Sequence, residues 1–199
     1  MRLIWFGAAT LAIRAKCTTL RLALIVPSSA AVIVGLYDPK SPSNVGAVLR
    51  AAGCYQASEV RYTGTRFDRA VKYQTDTKNA KDRVSLVHYD DLLTDLPVET
   101  KLICVELAEA ATQLPLFEHP DHALYLFGPE DGSIPQSIID KSDYVVYVPT
   151  IGCMNLAASV NVLLYDRLAK ANRGHDHSYS VRKNRDVNNR LRVKRDIVD

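Results

Sequence analysis

Residues 124–165 constrain this chain more than any other stretch. They read Leu-Tyr-Leu-Phe-Gly-Pro-Glu-Asp-Gly-Ser-Ile-Pro-Gln, then a short polar helical segment, then Tyr-Val-Val-Tyr-Val-Pro-Thr-Ile-Gly-Cys-Met-Asn-Leu-Ala-Ala-Ser-Val-Asn-Val-Leu-Leu-Tyr. Two apolar runs, 123–127 and 144–148, have the pattern of strands covered on both faces, and each enters a loop bearing Gly and Pro. Both loops therefore fall at strand carboxyl ends, where open parallel sheets bind ligands. Gly128 and Gly152 permit close backbone approach there. The second loop delivers Asn155 to the start of a long apolar helix whose first N–H groups lack intrahelical partners.

The rest of the chain supplies a sheet for these loops. Residues 31–37 (Ala-Val-Ile-Val-Gly-Leu-Tyr) form another continuous apolar strand, broken by Asp-Pro-Lys-Ser-Pro-Ser. A helix follows from Asn44, with Ser43 or Asn44 as its cap, an apolar stripe at 45, 48, 49 and 52, and Gly53 as its close. Further strands are expected at 59–62, 84–89 and 101–107, a helical turn or two at 90–96, and a final helix at 154–171. This alternation predicts one α/β domain with a largely parallel sheet flanked by helices.

Charge placement narrows the function classes. The net charge is only +3. Residues 1–30 carry four basic and no acidic residues, residues 173–199 carry eight basic and four acidic, and 13 basic face 18 acidic between them. A uniformly basic nucleic-acid coat is excluded, so a polyanion must meet a local patch or the tails. One such patch is the stretch 61–83, where seven Lys or Arg alternate with Phe67 and Tyr73. Arg66, Arg69 and Lys72 are its foremost candidates for RNA binding, against the plainer reading of a solvated helix face. Cys17, Cys54, Cys104 and Cys153 have no metal-ligand spacing, and the pair His175 and His177 lies in a polar tail. No metal site or disulfide framework is indicated, which suits a reducing cytoplasm. Apolar runs before residue 31 are broken by Arg and Lys well short of the ~20 residues a membrane span needs; with domain sequence beginning near Ala31, that segment reads as a dispensable extension, against the alternative of a transit or signal-like segment.

Neither a phosphate-binding Gly-x-x-x-x-Gly-Lys loop nor a Gly-x-Gly-x-x-Gly fingerprint occurs, which disfavours nucleotide-hydrolysing and dinucleotide enzymes. A Gly-x-Ser-x-Gly elbow is missing as well. Asn44, Arg50, Glu130 and Asn155 remain, all near glycine at strand-to-helix transitions. Taken singly, each has an ordinary reading as a cap, a surface ion pair or a turn residue.

In combination they resemble a family. Asn44-x-Gly46-x-x-x-Arg50, Gly128-Pro-Glu130, and Val148-Pro149 followed by Met154-Asn155-Leu156 are similar to the three ordered motifs of the TrmH/SpoU branch of SPOUT RNA methyltransferases, over about residues 31–170. The resemblance implies a Rossmann-like sheet with a C-terminal trefoil knot, S-adenosylmethionine as cofactor, and a homodimer with each site at the subunit interface. It also implies methyl transfer to a ribose 2′-hydroxyl of tRNA, or of rRNA, by a domain at 31–172 followed by a basic tail at 173–199. Arg50 would assist deprotonation, and Asn44 would hold the loop and the ribose or phosphate. Glu130 would orient the second-motif loop or pair with Arg50, and Asn155 would fasten the knot turn. Backbone at Val105, Gly128, Val148 and Cys153, with Leu156, would surround the cofactor. Departures from the family wording are Ser133-Ile-Pro135 after the glutamate and Ala157 in place of a hydroxyl residue. The alternative is a noncatalytic RNA-binding module that keeps the fold.

Overall fold

The structure is a computed structural model that describes residues 31–71, 84–171, 188, 190 and 191. The 1–30 segment, Lys72 with the rest of the basic stretch to 83, and His175 and His177 lie outside these residues.

Seven strands form one parallel sheet: β1 (Val32–Leu36), β2 (Glu59–Tyr62), β3 (Ser85–His88), β4 (Lys101–Val105), β5 (Thr112–Gln113), β6 (Ala123–Phe127) and β7 (Tyr144–Tyr147). Their spatial order is β3-β2-β1-β6-β4-β7-β5. The helices are α1 (Pro42–Cys54), α2 (Arg66–Val71), α3 (Gln136–Ile139) and α4 (Leu156–Ala171). Layers cover both faces of the sheet, which is why β1 and β6 are apolar at every position. Val32, Val34 and Leu36 face a core completed by Val48, Leu49, Val160 and Leu163 of α1 and α4. Ile33, Leu124 and Leu126 face a second core under Leu92 and Ile134, with Ile138 and Ile139 of α3 against it.

Several boundaries differ from expectation for identifiable reasons. Ser41, not Ser43 or Asn44, caps α1, accepting the Asn44 N–H at 3.4 Å. Pro42 in the first turn lacks an N–H and has its φ preset for a helix, so the cap falls just before it. Gly53 lies inside α1, and the left-handed residue beyond its end is Gln56 at φ 59°. Residues 92–95 form hydrogen-bonded turns, not a helix. The two-residue β5, paired with β7, was not anticipated. Arg61, counted among the candidate phosphate-binding cations, is buried in β2. It pairs with Glu59, donates to the Thr94 and Leu92 carbonyls, and lies over the Tyr89 ring, so it fixes the 92–95 turn.

The far half of α4 is bolted to the segment before β6. Lys170 donates to the Leu114 and Phe117 carbonyls and pairs with Asp166, and Arg167 donates to the Pro120 and Asp121 carbonyls and the Tyr125 hydroxyl. His119 bridges Tyr125 at 2.7 Å and Asp166 at 2.9 Å. Burial lowers the His119 pKa, as do Arg167 and Lys170, and together they outweigh the raising effect of Asp166. Neutral imidazole is thus favoured in the folded chain, and the unfolded chain takes up the proton first. This contribution is complete above the ordinary value of 6.5 and is lost as pH falls below it. Urea unfolding should give lower stability at pH 5.5 than at 7.5, by at most about 1.4 kcal/mol per pH unit from this group, and His119→Gln should remove that part of the slope.

Candidate active site

A cleft of about 240 Å³ opens at the carboxyl ends of β6, β4 and β7, three adjacent strands. Val105 ends β4 on one wall, and Phe127 with Gly128 and Pro129 leaves β6 on another. Tyr147, Val148, Thr150, Gly152 and Cys153 bring the loop after β7 round to Leu156, the first residue of α4. All five residues expected around a cofactor, Val105, Gly128, Val148, Cys153 and Leu156, therefore line one cavity.

The chain turns off β6 in close quarters at Gly128. A Cβ there would lie 3.2 Å from the Ile134 nitrogen and 3.4 Å from Glu106 Oε2, so a side chain would need the loop to give by a few tenths of an ångström.

The three sequence motifs meet at Glu130, an exposed residue on the rim. Its Oε1 accepts from the Ser41 N–H at 3.0 Å and from Asn44 Nδ2 at 3.0 Å, and its Oε2 accepts from the Lys40 N–H at 2.8 Å. Asn44 Oδ1 in turn accepts from Asn155 Nδ2 at 2.9 Å, while Asn155 Oδ1 accepts the Ala157 N–H at 2.9 Å and so caps α4. Burial alone would raise the Glu130 pKa, but the hydrogen bonds from Asn44 and from the N–H groups of Lys40, Glu130 and Ser41 hold it below the ordinary carboxylate value. Ala157 is buried at the start of the helix, and the nearby hydroxyl of Ser159 bonds the Asn155 carbonyl at 3.2 Å.

Arg50 is not in this network. It sits on the exposed stripe of α1 with Ser43, Ala47 and Cys54, makes no ion pair or hydrogen bond among the described residues, and does not line the cleft. The expected alternative pairing with Glu130 is not made. Asn44 and Arg50 are six positions apart, about 120° around the helix from each other, so one carboxylate cannot reach both. Arg66 likewise has another role. It donates to Asp131 at 2.7 and 2.9 Å and to Asp38 at 3.3 Å, and with Lys40 paired to Asp131 at 3.4 Å it clasps α2, the first loop and the second loop together. Arg69 makes no ion pair among the described residues.

The cleft has a distinct electrostatic character. Among the described residues its lining holds two carboxylates, Glu106 and Glu130, and no Lys, Arg or His. Glu106 escaped the sequence analysis because nothing local marks it; it is an acidic residue just past a strand. No group of His, Cys, Asp or Glu among the described residues could hold a metal ion, and none of the described helices is long and apolar enough to cross a membrane.

A sheet with this order, carrying glycine-bearing loops at the ends of β6 and β7, defines an α/β ligand-binding domain of a known kind. Residues 31–165 match the SpoU rRNA Methylase family, and the chain belongs to it. The donor that serves this family is S-adenosylmethionine. Solved structures agree in fold. The SpoU methyltransferase AviRb from Streptomyces viridochromogenes, in complex with AdoMet, superposes with a TM-score of 0.58 at 19% identity over 71% of this chain, which spans 58% of AviRb. A protein studied for 2-OH methylation of C/U34 on tRNA gives 0.57 at 22% identity over 71% of this chain and 97% of its own. The TrmH/SpoU tRNA modifying enzyme of A. aeolicus gives 0.59 at 15% identity over 71% and 77%. No curated protein sequence matches the chain.

Because Asn44 joins two motifs, Asn44→Ala should lower stability by about 1–2 kcal/mol in urea unfolding, whereas Arg50→Ala, with no contact to lose, should stay within about 0.5 kcal/mol.

Proposed function

We propose that this chain is an S-adenosylmethionine-dependent RNA methyltransferase acting on a ribose 2′-hydroxyl, with tRNA rather than rRNA as its substrate class. The observation that carries the reading is the cleft: two glycine-bearing loops at strand ends, joined through one carboxylate hub, with an anionic and otherwise uncharged lining. Such a lining favours a cationic ligand and rejects phosphates. S-adenosylmethionine suits it, having a sulfonium for the carboxylates and an adenosine for apolar walls with backbone polar groups. When bound, it supplies an already activated methyl group.

The chain's own residues then bind and align. Val105, Gly128, Val148, Cys153 and Leu156 hold the cofactor, and Asn44, Glu130 and Asn155 keep the three motif segments in register around it. Arg50 meets the RNA. A guanidinium offers five donors and no acceptor, so Arg50 orients the ribose hydroxyl or a neighbouring phosphate and stabilises developing negative charge on oxygen.

A homodimer, which the family resemblance implies, is part of this reading. The outer sides of α1 and α4 are exposed, and Val162, Tyr165 and the whole of Ile151 in the adjoining loop present apolar surface. Pairing there would cover them and complete, with Arg50, a site that a lone chain leaves open. In this reading residues 31–172 are the cytoplasmic enzyme's catalytic domain, with the family's knot formed after β6, and residues 1–30 are dispensable. The tRNA preference is supported by the likeness to the protein studied for 2-OH methylation of C/U34 on tRNA, 97% of which this chain spans.

The test is transfer from labelled S-adenosylmethionine to RNA from cells lacking the gene. Ribose methylation of a tRNA is expected, and RNA binding without any transfer to tRNA or rRNA would favour the noncatalytic module. Arg50→Ala should reduce transfer at least about 100-fold with cofactor affinity within about twofold. An unchanged rate would remove Arg50 from the mechanism.

A further inference from the structure

Glu106 stands just beyond β4 on the cleft wall. Its Oε1 accepts the Leu107 N–H at 3.0 Å and its Oε2 accepts the Ile134 N–H at 3.0 Å, so the side chain ties the end of β4 to the loop that follows Gly128. That loop passes so close that a Cβ at 128 would lie 3.4 Å from Oε2. The carboxylate thus sits under the loop, half-buried, with its orientation fixed from both sides.

Its charge, unlike its position, is unanswered. Glu130, the other carboxylate of the lining, is held at the rim by three donors and has Lys40 and Ser41 backbone beside it. Glu106 makes no ion pair among the described residues, and each of its oxygens accepts one N–H while a carboxylate offers about four acceptor sites. An oriented negative charge in a partly enclosed cleft with no cation in its lining acts on whatever charge enters.

We propose that Glu106 is the specificity residue by which the cleft distinguishes the charged methyl donor from its demethylated product. The inference rests on the S-adenosylmethionine reading above. S-adenosylmethionine and S-adenosylhomocysteine share the adenosine and the amino-acid end and differ in the methyl group and the positive charge on sulfur. Apolar walls and backbone groups bind the shared parts of both alike, so a fixed carboxylate is the element of this cleft that favours the sulfonium. It would hold the donor and release the thioether.

Calorimetric titration of both ligands into the full chain, for wild type, Glu106→Gln and Glu106→Asp, tests this. Glu106→Gln should weaken S-adenosylmethionine about tenfold and S-adenosylhomocysteine by less than about twofold. Glu106→Asp keeps the charge, and should keep the preference for the donor even if both ligands weaken. Thermal unfolding without ligand reports the loop-tying role separately. Equal loss of both ligands in Glu106→Gln, or no loss, would overturn the proposal alone. Wild-type protein that binds neither ligand would overturn the cofactor reading and this proposal together.

Discussion

The capture of the Lys40 and Ser41 backbone by the Glu130 carboxylate is the interaction on which the rest of the site depends. Those N–H groups belong to the loop leaving β1, and Glu130 belongs to the loop leaving β6, its neighbour in the sheet. A parallel sheet aligns strand ends but leaves their loops free to diverge. One carboxylate, with lone pairs enough for Ser41, Lys40 and the Asn44 side chain, closes that gap. Asn44 then passes the constraint to Asn155, which also caps α4. Three segments spread over 111 positions of the chain become one rim.

This arrangement divides the charges by task. Carboxylates line the cleft, while Lys40 and Arg66 of the neighbouring segments are paired with Asp131 and Asp38. Exposed pairs of this kind contribute little stability, so their effect is to fix loop geometry. Arg50 differs from both sets, being exposed, unpaired among the described residues and set on the outer stripe of α1.

Much of this was legible because it is encoded locally. The apolar runs at β1 and β6 identify buried parallel strands without any tertiary knowledge, whereas β7, expected to be covered on both faces as well, buries only Val146 because its neighbour β5 is just two residues long. The five residues that the family resemblance implied for a cofactor line one cleft, since the ends of the adjacent strands β6, β4 and β7 converge. What was not legible depends on contacts between distant segments. Arg61 reads as a surface cation until the 92–95 turn folds over it, and Arg66 reads as an RNA ligand until Asp131 arrives from 65 positions away. Glu106 carries no signal of its own; only the approach of Ile134 gives it an orientation. The pairing of Glu130 with Arg50, one of two alternatives, is not made within this chain, because Arg50 lies about 120° round α1 from Asn44, which Glu130 does hold.

The central claim is that the Glu130, Asn44 and Asn155 network makes three motifs act as one ligand-holding unit. Titration of S-adenosylmethionine into Glu130→Gln, Asn155→Ala and the double variant measures it directly, because residues in one network are non-additive. Each single change should weaken binding about tenfold, and the double variant should be little worse than the weaker single. Losses that multiply, or single variants that bind as tightly as wild type, would contradict it.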